Sequence, residues 1–152
     1  MVREENATID MVLEEDLIFK STFSYKKLQS LYIDENIEKK DDLWGPDAAQ
    51  LLGMAVTGCL CASFVFCLSK RGLSVDNLDA HAEVSFRKTD KNYTRIKDIK
   101  VKLVPKANNK DTLKRIKQCM KEIKGEHMFF EETCIITPSV RDGIDIKVDV
   151  EL

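Results

Sequence analysis

Residues Ala48–Ser69, AAQLLGMAVTGCLCASFVFCLS, decide the fold, because 22 consecutive positions hold no Asp, Glu, Lys, Arg or His. One third of the whole chain is charged. A helix without a polar face must be covered on every side, in a bilayer or inside protein. About 20 apolar residues are enough to cross a membrane, and Lys70-Arg71 follow the run as a flank would. Three features favour protein. Gln50, Gly53, Thr57, Gly58 and Ser63 make the run only moderately lipophilic. A span would isolate residues 1–46, which carry too few apolar side chains for a core of their own. The segments on either side alternate as half-buried strands do, and a central helix about 35 Å long could cover them.

The chain of 152 residues suits a single domain, 1–152. Within it, 1–45 reads as N-terminal strands and a loop, 46–71 as the central helix, and 72–152 as C-terminal strands and helices. The 24 basic and 26 acidic residues are interleaved, so neither nucleic acid nor a membrane is an expected partner. MVREENATID has no apolar core of a secretory signal, which points to the cytoplasm. Five cysteines without a short regular spacing fit the same reducing compartment, where a disulfide would be catalytic or transient.

Strands are expected at Thr8–Leu13, Leu17–Phe23 and Leu28–Ile33, with Glu14-Glu15-Asp16 as the first turn. Asp34–Leu43 reads as a charged surface loop, Pro46-Asp47 as the first helical turn, and Gly72 as the helix stop. Leu78–Arg87 alternates cleanly, and Ile99–Leu103 gives a second strand ended by Pro105. Asp111 is expected to cap an amphipathic helix that buries Leu113, Ile116, Cys119, Met120 and Ile123 and ends at Gly125. A short helical turn over 126–132 and a regular last strand, Ile144–Leu152, complete an α+β order of β(3)-α-β(2)-α(2)-β. Covering the central helix is hard for one small domain, so an intertwined homodimer is expected.

The cysteines carry the candidate chemistry. Buried free cysteine is a common small hydrophobe, and Cys61, Cys67 and Cys119 read that way. Cys59 and Cys61 lie about 200° apart around a helix and cannot bond to each other. With only His81 and His127 and no Cys-X-X-Cys, a zinc site is not expected. His81 falls on the solvent face of its strand and His127 in a connecting turn.

Two cysteines stand out. Gln50-Leu51-Leu52, a run of small apolar residues, and then Gly58-Cys59 resemble the first motif of the OsmC/Ohr family, the osmotically inducible and organic hydroperoxide resistance proteins. Cys134-Ile135-Ile136-Thr137-Pro138-Ser139-Val140 echoes the family's second motif, Cys-Pro-Val-Ser-x-x-Leu, and the element order is similar over nearly the whole chain. The resemblance implies the OsmC-like fold and a cofactor-free thiol peroxidase acting on organic hydroperoxides. Cys59 would attack the O–O bond, and Cys134 would resolve the sulfenic acid as a disulfide. A dithiol such as a lipoyl group would then reduce it. It also implies intertwined homodimers. The family's cysteine is activated by an N-terminal arginine held by a glutamate that follows a proline. Here Ala48 and Ala49 occupy the proline and glutamate positions, leaving Asp47 to substitute and Lys20 or Arg87 to supply charge. The alternative is a non-catalytic OsmC-like protein that binds a small hydrophobic ligand near Cys59.

Overall fold

Ala48–Ser69 forms one α-helix, α1, in the computed structural model, which describes residues 6–152. A capping box starts it: Gln50 N–H donates to Asp47 Oδ1 at 2.8 Å, and Asp47 N–H donates to Gln50 Oε1 at 3.0 Å. Gly72 ends it at φ +65°, a left-handed conformation that costs glycine nothing, and Leu73 N–H turns back to Leu68 O. Val56, Leu60, Phe64, Cys67 and Leu68 form its buried face. Met54 and Val65 stay open at 63% and 43% exposure, so one chain does not enclose the helix.

The described chain forms two compact units. One unit runs up to Met54 and resumes at Val84–Ile99. It holds an antiparallel sheet ordered β1 (Val12–Glu15), β2 (Ile18–Thr22), β3 (Ser30–Asp34). The register pairs Phe19 with both Leu13 and Ile33, and an irregularity between Leu13 and Glu15 admits the tight turn at Asp16. Asp34 is 1% exposed and organises the following loop. Its carboxylate accepts from Asn36 N, Asn36 Nδ2 and Trp44 N at 2.9–3.1 Å. Burial works against that charge, yet these donors, with Lys39 nearby, hold the carboxyl below its usual range. Gly45 packs so closely on Tyr32 that any β-carbon would collide with the Tyr32 carbonyl.

The other unit contains Ala55–Glu83 and Lys100–Leu152. Its core joins α1 to α2 (Lys110–Cys119) through Phe64, Leu68, Ile116, Cys119 and Phe130. Phe64 and Phe130 meet edge to face at 5.3 Å, a favourable quadrupole geometry. Arg115 Nε–H donates to Cys67 O at 3.2 Å, satisfying a carbonyl in the last turn of α1. A long hairpin, β4 (Asn77–Lys88) and β5 (Thr94–Lys106), runs through both units. A two-residue-strand hairpin, β6 (Glu122–Ile123) and β7 (His127–Met128), turns on Gly125 and leads into a 3₁₀ turn, Phe129–Thr133. Helix α3, Ile136–Asp142, follows.

Several expectations are corrected. The last strand does not form: 143–152 is irregular, and Ile146, Val148 and Val150 are at least 77% exposed. Alternation prepares a segment for a sheet, but a strand needs a neighbour to take its backbone hydrogen bonds. In place of a direct passage from Cys134 to strands, the chain makes α3. Asn109, not Asp111, caps α2, its Oδ1 accepting from Asp111 N and Thr112 N. Thr112, Ile116 and Cys119 face inward, and Leu113 and Met120, expected to be buried, are exposed. Pro105 lies inside β5 rather than ending the strand after Leu103, and His127 sits in β7 rather than in a turn. Finally, Cys67 and Cys119 are not free filler. They form a disulfide, 52 residues apart in sequence and buried at 5% and 0% exposure.

Candidate active site: a thiol pair between α1 and α3

Cys59 lies midway along α1, one turn before the buried Ser63 and Phe64. Cys134 lies in the link between the 3₁₀ turn and α3, and a buried carboxylate fixes that link. Glu131, 8% exposed, accepts from Met128 N at 2.6 Å through Oε2 and from Arg141 Nη2 at 2.7 Å through Oε1. The pairing joins the 3₁₀ turn to the last turn of α3, and Cys134 N–H closes onto Glu131 O at 2.9 Å. A charge-assisted bond to a nearly buried carboxylate is stiffer than a surface ion pair.

The two sulfurs meet there. The Cys59 thiol donates a hydrogen bond to Cys134, and Ile135 and Ile136 turn backbone N–H groups toward Cys59. Cys134 is 4% exposed, whereas Cys59 is only partly covered. Thr137 Oγ1 lies 3.1 Å from Cys134 Sγ, and Thr137 N–H donates to the same sulfur at 3.3 Å. Burial pushes the Cys59 thiol up, and donating its proton to Cys134 pushes it further. Burial also opposes ionisation of Cys134, but the Thr137 hydroxyl and N–H, the Cys59 thiol and Ile136 N–H together bring it below the ordinary thiol value. One sulfur is a donor and its neighbour an acceptor. Cys61, raised by burial alone, has no part in the pair.

Among the described residues, no cation is among the groups acting on Cys59. Asp47 closes the capping box of α1 with Gln50 and is not among the groups acting on Cys59. Lys20 stands over the Tyr32 ring at 5.6 Å. Among the described residues, no group of three His, Cys, Asp or Glu side chains is arranged to hold a metal ion. Sequence reasoning missed Thr137, Glu131 and Arg141. A hydroxyl three residues after a cysteine was the available signal for Thr137, whereas nothing local marks the Glu131–Arg141 pair.

The family model for OsmC-like proteins matches residues 39–149, a range that includes both cysteines. The chain belongs to the OsmC-like protein family. Solved structures share its fold at low identity. An OsmC-like protein from Mycoplasma pneumoniae superposes with a TM-score of 0.65 at 13% identity, covering 91% of this chain and 89% of that one. The organic hydroperoxide resistance protein OhrB of Bacillus subtilis gives 0.59 at 12% identity, covering 95% and 98%. An OsmC-like protein of unknown function from Vibrio cholerae gives 0.63 at 13%, covering 89% and 93%. No curated protein sequence matches the chain significantly.

Proposed function

We propose that this OsmC-like protein is a thiol peroxidase that reduces organic hydroperoxides through Cys59 and Cys134. The contact between the two sulfurs carries the reading. Such a pair ionises as a unit, and its singly charged form holds one proton between two sulfurs. Cys59 is the attacking sulfur because it is the more open of the two. The proton rests on Cys59; its shift to the Cys134 thiolate frees Cys59 as the thiolate that breaks the O–O bond and becomes a sulfenic acid. The departing alkoxide takes the proton from Cys134. Cys134, again a thiolate, attacks the Cys59 sulfur, expels hydroxide and closes the disulfide. A dithiol, of which a lipoyl group is one kind, returns the pair to the reduced state. No cofactor enters this cycle.

Non-reducing peptide mapping after exposure to stoichiometric tert-butyl hydroperoxide tests it. The expected product links Cys59 to Cys134, and an intact pair of thiols after full exposure would rule the reading out. The Cys59 thiol, pushed up by burial and with no cation acting on it among the described residues, favours a second reading, a non-catalytic protein of the same fold that binds a small hydrophobic ligand. Turnover of hydroperoxide separates the two.

We also propose a homodimer, supported by the open Met54, Val65 and Phe86 and by the exposed apolar row of the C-terminal segment. Light scattering with size exclusion would decide, and a clean monomer at micromolar concentration would refute it. A cytoplasmic location is compatible with the Cys67–Cys119 bond, because burial of both half-cystines hinders cellular thiols from reaching it.

A further inference from the structure

Thr137 is the residue in the site whose contacts the peroxidase scheme leaves without a purpose. Thr137 is 7% exposed; the Cys134 thiol donates to its hydroxyl oxygen at 3.1 Å, its N–H donates to Cys134 Sγ at 3.3 Å, and when the thiol ionises the hydroxyl turns its own proton to the same sulfur. A threonine spent on packing alone would not aim both polar groups at one sulfur. The α3 helix has seven residues, too few for its dipole to matter, so these direct contacts are the local stabilisation. Among the described residues, the groups acting on Cys59 are the Cys134 sulfur and the N–H groups of Ile135 and Ile136, with no hydroxyl.

We propose that Thr137 is a positioning residue that holds Cys134 as the resident anion of the pair and thereby sets the direction in which the disulfide is reduced. This inference rests on the peroxidase reading for its biological use. Reduction of a disulfide is fastest when the accessible sulfur is attacked and the better-stabilised thiolate leaves. Cys59 is the accessible sulfur and Cys134 the buried, solvated-by-protein one. A thiolate of the dithiol therefore attacks Cys59 Sγ. The S–S bond breaks, and its electron pair leaves on Cys134, where Thr137 receives the charge. The second thiol of the reductant then displaces Cys59, which takes a proton, and the reductant departs as its own disulfide. The same contacts keep Cys134 ready to attack a sulfenic acid on Cys59.

Two measurements test this on the full chain. In a chain with Cys59→Ser and Cys61→Ser, Cys134 is the one cysteine outside the disulfide, so its alkylation by iodoacetamide can be followed against pH. Thr137→Val keeps shape and N–H but removes the hydroxyl. It is expected to move the alkylation midpoint up by about one pH unit, and Thr137→Ser to restore it. In the oxidised parent chain, the monothiol 2-mercaptoethanol is expected to form its mixed disulfide on Cys59, and Thr137→Val to slow that step about threefold. An unmoved midpoint in Thr137→Val, or an adduct on Cys134 in the parent, would overturn the proposal. Alkylation needs no peroxide, so it judges Thr137 even where a failure to consume hydroperoxide removes the peroxidase reading.

Discussion

Cutting the Cys67–Cys119 bond should be the most damaging single change to the stability of this protein that leaves its packing in place. The two half-cystines close a loop of 52 residues between the last turn of α1 and the end of α2. Restricting the unfolded chain by a loop of that length is worth about 4 kcal/mol in the chain-entropy treatment. Total stability of a domain this size is about 5–15 kcal/mol, so the bond contributes a large share. The experiment is urea unfolding of a Cys59→Ser/Cys134→Ser chain, with the remaining bond intact or reduced under denaturing conditions and refolded. That background prevents the site pair from contributing to the difference. The reduced protein should unfold at a lower urea midpoint, by an amount corresponding to about 3–4 kcal/mol. Cys67→Ala/Cys119→Ala should fall somewhat further, because it also removes two buried sulfurs. A loss below about 1 kcal/mol would refute the reasoning, since it would mean that the unfolded chain is already confined without the bond.

Other outcomes follow from the site and from the core. Cys59→Ser should abolish consumption of tert-butyl hydroperoxide while Cys61→Ser leaves it intact, and equal loss in both would contradict the assignment of Cys59. The rate of peroxide attack should rise with pH in two steps. The lower step lies beneath the ordinary thiol range, where the pair first ionises, and the upper one lies above it, where Cys59 ionises itself. Cys134→Ser should erase the lower step in single-turnover measurements, and one step at the usual thiol value would tell against the shared proton. Asp34 has a depressed folded pKa, so its contribution to stability is present above the unfolded carboxyl value and lost as pH falls through the folded one. Asp34→Asn should flatten acid unfolding in that window, and an unchanged acid limb would show that its hydrogen bonds do not depend on charge.

The parts of the fold legible in the sequence were those written in long uniform patterns. Ala48–Ser69 could be read because 22 residues without charge admit few other structures, and β4 because its apolar residues keep step over ten positions. Helix α3 was hidden by Ile135, Ile136 and Thr137, which read as strand, and by Pro138, which reads as a break although a helix tolerates it in the first turn. The C-terminal segment shows the opposite failure, a sound local pattern whose partner strand is not supplied within one chain. The contact of Cys59 with Cys134 was reached through family resemblance, since residues so far apart carry no local signal of proximity. The Cys67–Cys119 bond was missed for the same reason. Thiols of equal hydrophobicity, buried in two different helices, look alike until the helices are placed together.

The open C-terminal segment has a consequence for colloidal behaviour. Residues 144–152 present a row of apolar side chains on an unpaired backbone, the composition of a sticky end. Asp145, Lys147, Asp149 and Glu151 alternate with that row, and Lys147 lies 3.8 Å from Asp145. Stacked in register with copies of itself, the segment would place Asp149 on Asp149 and Glu151 on Glu151, so repulsion builds with every added chain. The same charges that leave the segment free to meet a complementary edge thus act as gatekeepers against fibril growth.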